Sequence, residues 1–93
     1  MNDLIIIGGG PAGIAAAVYA ARKRLKTVLI TKEIGGQSMV SDGIENWVGT
    51  SKLSGTELAK NFEAHLDAVK SDIVELSLGE EAVALSREEN AFR

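Results

Sequence analysis

Hydrophobic residues fall along this chain in two rhythms. Leu4, Ile5, Ile6 and Ile7 form an unbroken apolar run, and Val28, Leu29 and Ile30 form another inside the stretch TVLIT. Short runs without polar alternation fit strands covered on both faces, as in a parallel sheet. Between them, residues 11–23 are alanine-rich and open on Pro11, a residue suited to the first turn of a helix. Strand, tight turn, helix and strand within about thirty residues make a βαβ unit with a right-handed crossover.

The second rhythm has helical spacing. Leu58, Phe62, Leu66 and Val69 share one face of a helix that ends near Lys70. Its start is marked by Ser54 as N-cap, Glu57 three residues on as the capping-box partner, and Leu53 with Leu58 as a hydrophobic staple. Residues 34–50 are rich in Gly, Ser, Asn and Asp without a clear period, and they carry Ile44, Trp47 and Val48, so an ordered loop is expected there. DIVEL at 72–76 reads as a third strand. AVALS at 82–86 and AFR at 91–93 flank the polar REEN as the start of a hairpin. The expected fold is α/β: a Rossmann-like three-layer arrangement in which strands 4–7, 27–31 and 73–76 are parallel neighbours, with a β-meander beginning at the C-terminal end. A hairpin ending on its second strand leaves an unpaired edge, so the chain is expected to be part of something longer.

Composition narrows the class. With 93 residues, 45% of them hydrophobic and 25% charged, the chain makes one globular domain at most. No apolar run approaches the ~20 residues of a membrane span, and Asn2 and Asp3 stand where a signal peptide carries basic residues. The absence of cysteine rules out a disulfide, a thiolate metal site or a redox pair within these residues. A cytoplasmic location is the expectation. The net charge of −3 divides into +4 over residues 1–32 and −7 over residues 33–93. The basic group Arg22, Lys23, Arg24 and Lys26 falls where the first helix ends, where it suits the helix dipole. With an acidic remainder and few aromatics, neither nucleic acid nor membrane is expected as a partner.

The glycines carry the chemistry. Gly8, Gly10 and Gly13 match G-x-G-x-x-G after a strand and at the opening of a helix, the context that gives this pattern its meaning. Gly8 serves the tight turn, Gly10 the close approach of a pyrophosphate, and Gly13 the contact of helix with strand. No Ser, Thr, Asp or Asn caps the first turn around Pro11 and Ala12, so its N–H groups and positive dipole end suit a phosphate. The fingerprint also places an acid near the end of the second strand for a ribose hydroxyl. That strand ends in Thr31 and Lys32, and Glu33 is the first acid. Lys32 beside it suits a 2′-phosphate, which leaves NADP open at this point.

GGGPAG, then GGQ at 35–37, then ENW at 45–47 with Gly49, then LSGTELAKNF at 53–62 resembles the FAD-binding N-terminal segment of thioredoxin reductase-like flavoproteins. These are pyridine nucleotide–disulfide oxidoreductases and include the flavoprotein subunit of alkyl hydroperoxide reductase. The resemblance implies that residues 1–93 are the N-terminal part of a discontinuous FAD-binding domain. Its C-terminal FAD segment and the NAD(P)-binding domain, which bears a Cys-x-x-Cys, lie outside these residues. It implies that FAD is the cofactor, NAD(P)H the co-substrate of the whole protein, and a homodimer the assembly. By motif, Gly36 and Gln37 reach the pyrophosphate and ribityl region, Asn46 approaches the flavin, and the backbone of Ala82 meets adenine. Val48 stands where that family places proline.

No residue is expected to be catalytic or to bind a metal: His65 lacks a partner motif, and Asp67, Asp72, Glu80 and Glu81 follow no ligand spacing. Trp47 is expected to anchor its loop on the sheet. The leading function is electron transfer from NAD(P)H through FAD to a disulfide or other acceptor. The alternatives are a non-enzymatic NAD- or FAD-binding or redox-sensing module, and an inactive fragment.

Overall fold

The computed structural model describes residues 1–36 and 40–93. The elements run β1 (Leu4–Ile7), α1 (Pro11–Arg22), β2 (Thr27–Thr31), α2 (Gly55–Lys70), β3 (Val74–Leu78), β4 (Arg87–Glu88) and β5 (Ala91–Phe92). The first three strands form one parallel sheet in the order β1-β2-β3, with Ile6 opposite Leu29 and Leu29 opposite Leu76. This is the α/β arrangement with parallel neighbours that the apolar runs predict.

Residues opposite one another in a sheet share a face. Leu4, Ile6, Leu29, Val74 and Leu76 therefore point together, into a core built with Ile14, Ala17, Val18 and Ala21 of α1 and Leu58, Phe62 and Leu66 of α2. The alanines let α1 lie close to the sheet. The other face carries Ile5, Ile7, Val28 and Ile30. There Ile5 is 41% and Ile7 56% exposed, so β1 is covered on one face among the described residues, not on both. The unbroken isoleucine run records what the strand's chemistry suits, while coverage depends on which layers are present.

Local signals set the ends of the helices. Ser54 Oγ accepts from the Glu57 N–H at 3.1 Å and Glu57 Oε1 accepts from the Ser54 N–H at 3.2 Å, which closes the capping box. Leu53 and Leu58 of the staple are both buried. At the far end of α1, Lys23 is the C-cap and Arg24 takes φ 59°, while the Arg24 and Leu25 N–H groups donate to the carbonyls of Ala21 and Ala20. This is a Schellman closure with arginine in the place usually held by glycine.

Three further expectations are corrected. The third strand begins at Val74, two residues after Asp72, because the chain turns through Ser71 at φ 40° and the Ile73 N–H donates back to Lys70. It then continues through Ser77 and Leu78, which pair with Ile30 and Thr31. The C-terminal hairpin is tighter than AVALS and AFR suggest: Arg87–Glu88 pairs with Ala91–Phe92 around a two-residue connection, with Glu89 at φ 51°. Two-residue turns match the twist of paired strands, so REEN supplies strand as well as turn. Trp47 anchors its loop on α2, not on the sheet: its ring meets Phe62 edge-on at 5.3 Å, while Ile44 and Leu53 exchange backbone hydrogen bonds of 2.6 and 3.0 Å.

Leu29 is fully buried at the centre of the sheet. Leu29→Ala should lower unfolding free energy by about 2–5 kcal/mol, the range for a leucine cavity. Ser54→Ala should lower it by about 0.5–2 kcal/mol through loss of the cap. Urea denaturation followed by circular dichroism measures both. Equal effects would mean that the sheet core is less closely packed than the geometry shows.

Candidate functional site

The carboxyl ends of β1 and β2 open onto a cleft of about 420 Å³ lined by the glycine turn, the end of β2 and the segment after β3. Gly8 extends the ladder by donating its N–H to the Ile30 carbonyl at 2.9 Å and turns the chain at φ 104°, where a side chain is strained. Gly13 sits beneath that turn: a Cβ there would lie 1.8 Å from the Gly8 carbonyl oxygen. Helix and strand touch backbone to backbone.

Gly10 differs. It is the N-cap of α1, in extended conformation, and a Cβ on it would meet nothing closer than the Gly36 Cα at 4.0 Å. Packing within the described residues does not demand glycine at position 10. No side chain caps α1, and Pro11 at its first position has no N–H, so Ala12 and Gly13 supply the free first-turn donors. Across the mouth lies Gly36 at φ 57°, where an added Cβ would stand 3.2 Å from the Gly10 Cα.

Thr31 holds the two sides together. Its buried hydroxyl accepts from the Gly9 N–H at 3.0 Å and donates to the Glu33 carbonyl at 2.8 Å. The Gly35 N–H donates to the Gly9 carbonyl at 2.8 Å. Thr31 is thus committed within the protein, and it acts on the cleft by positioning the glycine turn. Gly9, which sequence reasoning passed over, is buried, and a Cβ on it would lie 2.9 Å from both the Glu33 carbonyl and Thr31 Oγ1. Its place in the middle of GGG was its only signal. At the other wall, the Gly79 N–H donates to the Lys32 carbonyl at 3.1 Å and Lys32 Nζ pairs with Glu81 at 3.3 Å, which brings Glu80, Glu81 and Ala82 to the cleft.

Of the residues expected at the site, Gly8, Gly10, Thr31, Lys32, Glu33, Gly36 and Ala82 line this one cleft. Pro11, Ala12 and Gly13 form the first turn of α1 at its edge. Asn46 is exposed on the loop of Trp47 and is not among the lining residues. Gln37 lies outside the described residues. Among the described residues, no group of acids and histidine is placed to hold a metal ion, and no helix is long and apolar enough to cross a membrane.

A glycine turn between a parallel strand and an uncapped helix, opening at the carboxyl end of the sheet, defines a Rossmann-like α/β fold. The chain belongs to the pyridine nucleotide-disulphide oxidoreductase family, whose profile it matches over residues 2–93. It is 41% identical over 78 residues to the F subunit of the alkyl hydroperoxide reductase of Pseudomonas putida, covering 84% of this chain and 15% of that protein. Among solved structures it resembles thioredoxin reductase of Lactococcus lactis, with a TM-score of 0.77 and 37% identity over 84% of this chain and 25% of the other. It also resembles thioredoxin reductase of T. acidophilum, with a TM-score of 0.86 and 32% identity over 98% of this chain and 29% of the other. The chain therefore spans less than a third of each of these relatives.

Gly13→Val should destabilise the fold and abolish dinucleotide binding together, because the branched side chain has to displace the Gly8 carbonyl. Thermal melts and FAD titration of the same preparation check this. A variant that melts like the wild type and binds FAD equally well would show that the helix does not need this contact.

Proposed function

We propose that these residues are the FAD-binding part of a thioredoxin reductase-like flavoprotein oxidoreductase, the N-terminal segment of a discontinuous FAD domain. Gly10 carries this reading. Gly8 is explained by its backbone angle and Gly13 by packing, but among the described residues no packing contact asks for glycine at position 10. A phosphate approaching the first turn of α1 does ask for it, since a side chain there would stand between ligand and backbone donors.

The residues present fit FAD. The pyrophosphate would be held by the backbone of Gly8, Gly10, Ala12 and Gly13 with Gly36 opposite, and the cleft has a wall for the adenosine in Lys32, Glu33 and Ala82. Thr31 orients that wall, and by family motif Gln37 is assigned to the pyrophosphate and ribityl region and Asn46 to the flavin. FAD held there would supply two-electron redox chemistry between a reduced nicotinamide and an acceptor. The protein residues bind and orient it. In the whole protein we assign NAD(P)H as donor and a disulfide or other acceptor, in a cytoplasmic homodimer. The exposed Ile5 and Ile7 support association of this chain with itself or with further layers.

Two experiments test this. Gly10→Ala should shift stability by no more than about 1 kcal/mol, the N-cap difference, yet weaken FAD binding at least about tenfold in fluorescence titration, because one well-placed phosphate contact is worth that much. Affinity that tracks stability instead would remove the phosphate reading. The 93-residue chain has no thiol and a single dinucleotide fingerprint. With added FAD it should therefore show no turnover of NADPH and a thiol-specific disulfide reagent. Turnover at enzyme-like rates, ~1 to 10³ per second, would make it a minimal flavoenzyme.

A further inference from the structure

Among the described residues, the charged residues lining the cleft are Lys32 and three glutamates, Glu33, Glu80 and Glu81. Lys32 and Glu33 follow β2, where the fingerprint places the adenosine ribose, and Glu80 and Glu81 come to the same cleft from the segment after β3. Lys32 is the one cation among them. Its ammonium is turned to Glu81 at 3.3 Å, and its carbonyl is held by the Gly79 N–H. Lys60 lines a neighbouring crevice that shares Lys32 and Glu33 with this one, and Glu63 lines it too. A site for a 2′-phosphate needs the opposite arrangement, with a free cation beside the ribose. Here the cation is already matched, and two further carboxylates face the same space.

We infer that Glu81 is a specificity-determining residue: by engaging Lys32 and leaving the ribose end net negative, it makes this cleft a site for adenosine dinucleotides with a free 2′-hydroxyl and turns away those carrying a 2′-phosphate. This rests on the dinucleotide reading of the cleft and gives Lys32 its role within it. Glu81 acts through Lys32, so it is a positioning residue. Because both side chains are about two-thirds exposed, the pair adds little to stability and its removal leaves the fold intact.

NAD⁺ and NADP⁺ share the adenosine diphosphate half with FAD and differ only in the 2′-phosphate. Calorimetric titration of the 93-residue chain with FAD, NAD⁺ and NADP⁺ separates the role of Glu81 from the existence of the site. NAD⁺ should bind at least about tenfold more tightly than NADP⁺ at low salt, the scale of unit charges a few ångströms apart near a surface. The gap should narrow between about 0.1 and about 1 M salt, as the Debye length falls from ~10 to ~3 Å. Glu81→Gln frees Lys32 and should raise NADP⁺ affinity several-fold with NAD⁺ unchanged. Adding Lys32→Gln should reverse that gain, which loss of a merely structural ion pair would not produce. If FAD binds but NAD⁺ and NADP⁺ bind alike, or if Glu81→Gln moves both equally, the inference fails while the FAD site stands. If none of the three binds, the dinucleotide reading fails and takes the inference with it.

Discussion

The distance between Gly13 and the Gly8 carbonyl governs this molecule. An ordinary Cβ at position 13 would sit 1.8 Å from that oxygen, so helix and strand can meet at this spacing only with hydrogen as the side chain. The close approach sets how far the first turn of α1 reaches over the sheet, and the free N–H groups of Ala12 and Gly13 project at the carboxyl end of β1 as a result. It also sets the packing above: Ile14, Ala17, Val18 and Ala21 meet Ile6 and Leu29 because the helix starts where it does. A larger residue at position 13 would shift the core and the cleft together.

The second wall is built from longer-range contacts. Thr31 joins the glycine turn to the chain leaving β2 through two hydrogen bonds from one hydroxyl. The Gly79–Lys32 bond ties the segment after β3 to the same place. The cleft therefore has three separate pieces of chain in fixed register, and the backbone of the glycine turn forms much of its described lining. Such a site suits a cofactor that brings its own reactivity and asks the protein for position.

What could be read from the sequence follows the range of the interaction. The glycine fingerprint, the capping box at Ser54 and Glu57, and the apolar runs of β1 and β2 are local patterns, and their elements appear where the spacing puts them. The start of β3 was obscured because DIV looks like strand and the turn through Ser71 has no residue that marks it, while the pairing of Ser77 with Ile30 depends on a partner far along the chain. Gly9 and the double role of Thr31 were hidden for the same reason, since a threonine at a strand end has no sequence mark that distinguishes a ligand contact from an internal bridge. The exposure of Ile5 and Ile7 was likewise beyond any pattern, because an apolar run records suitability for burial and not the presence of a covering layer. Asn46 lies on the exposed loop of Trp47 and outside the lining of this cleft, so its place at the flavin end rests on the motif alone.

The turn from Gly8 to Gly13 contains no atom that takes up or releases a proton at ordinary pH. Peptide N–H groups keep their polarity in acid and in base, so a grip made from them is fixed by shape and insensitive to the acidity of the surroundings. The charge at the rim belongs to separate residues, Lys32, Glu33, Glu80 and Glu81. Holding strength and chemical environment are thus assigned to different parts of the cleft, and either can change in sequence without the other.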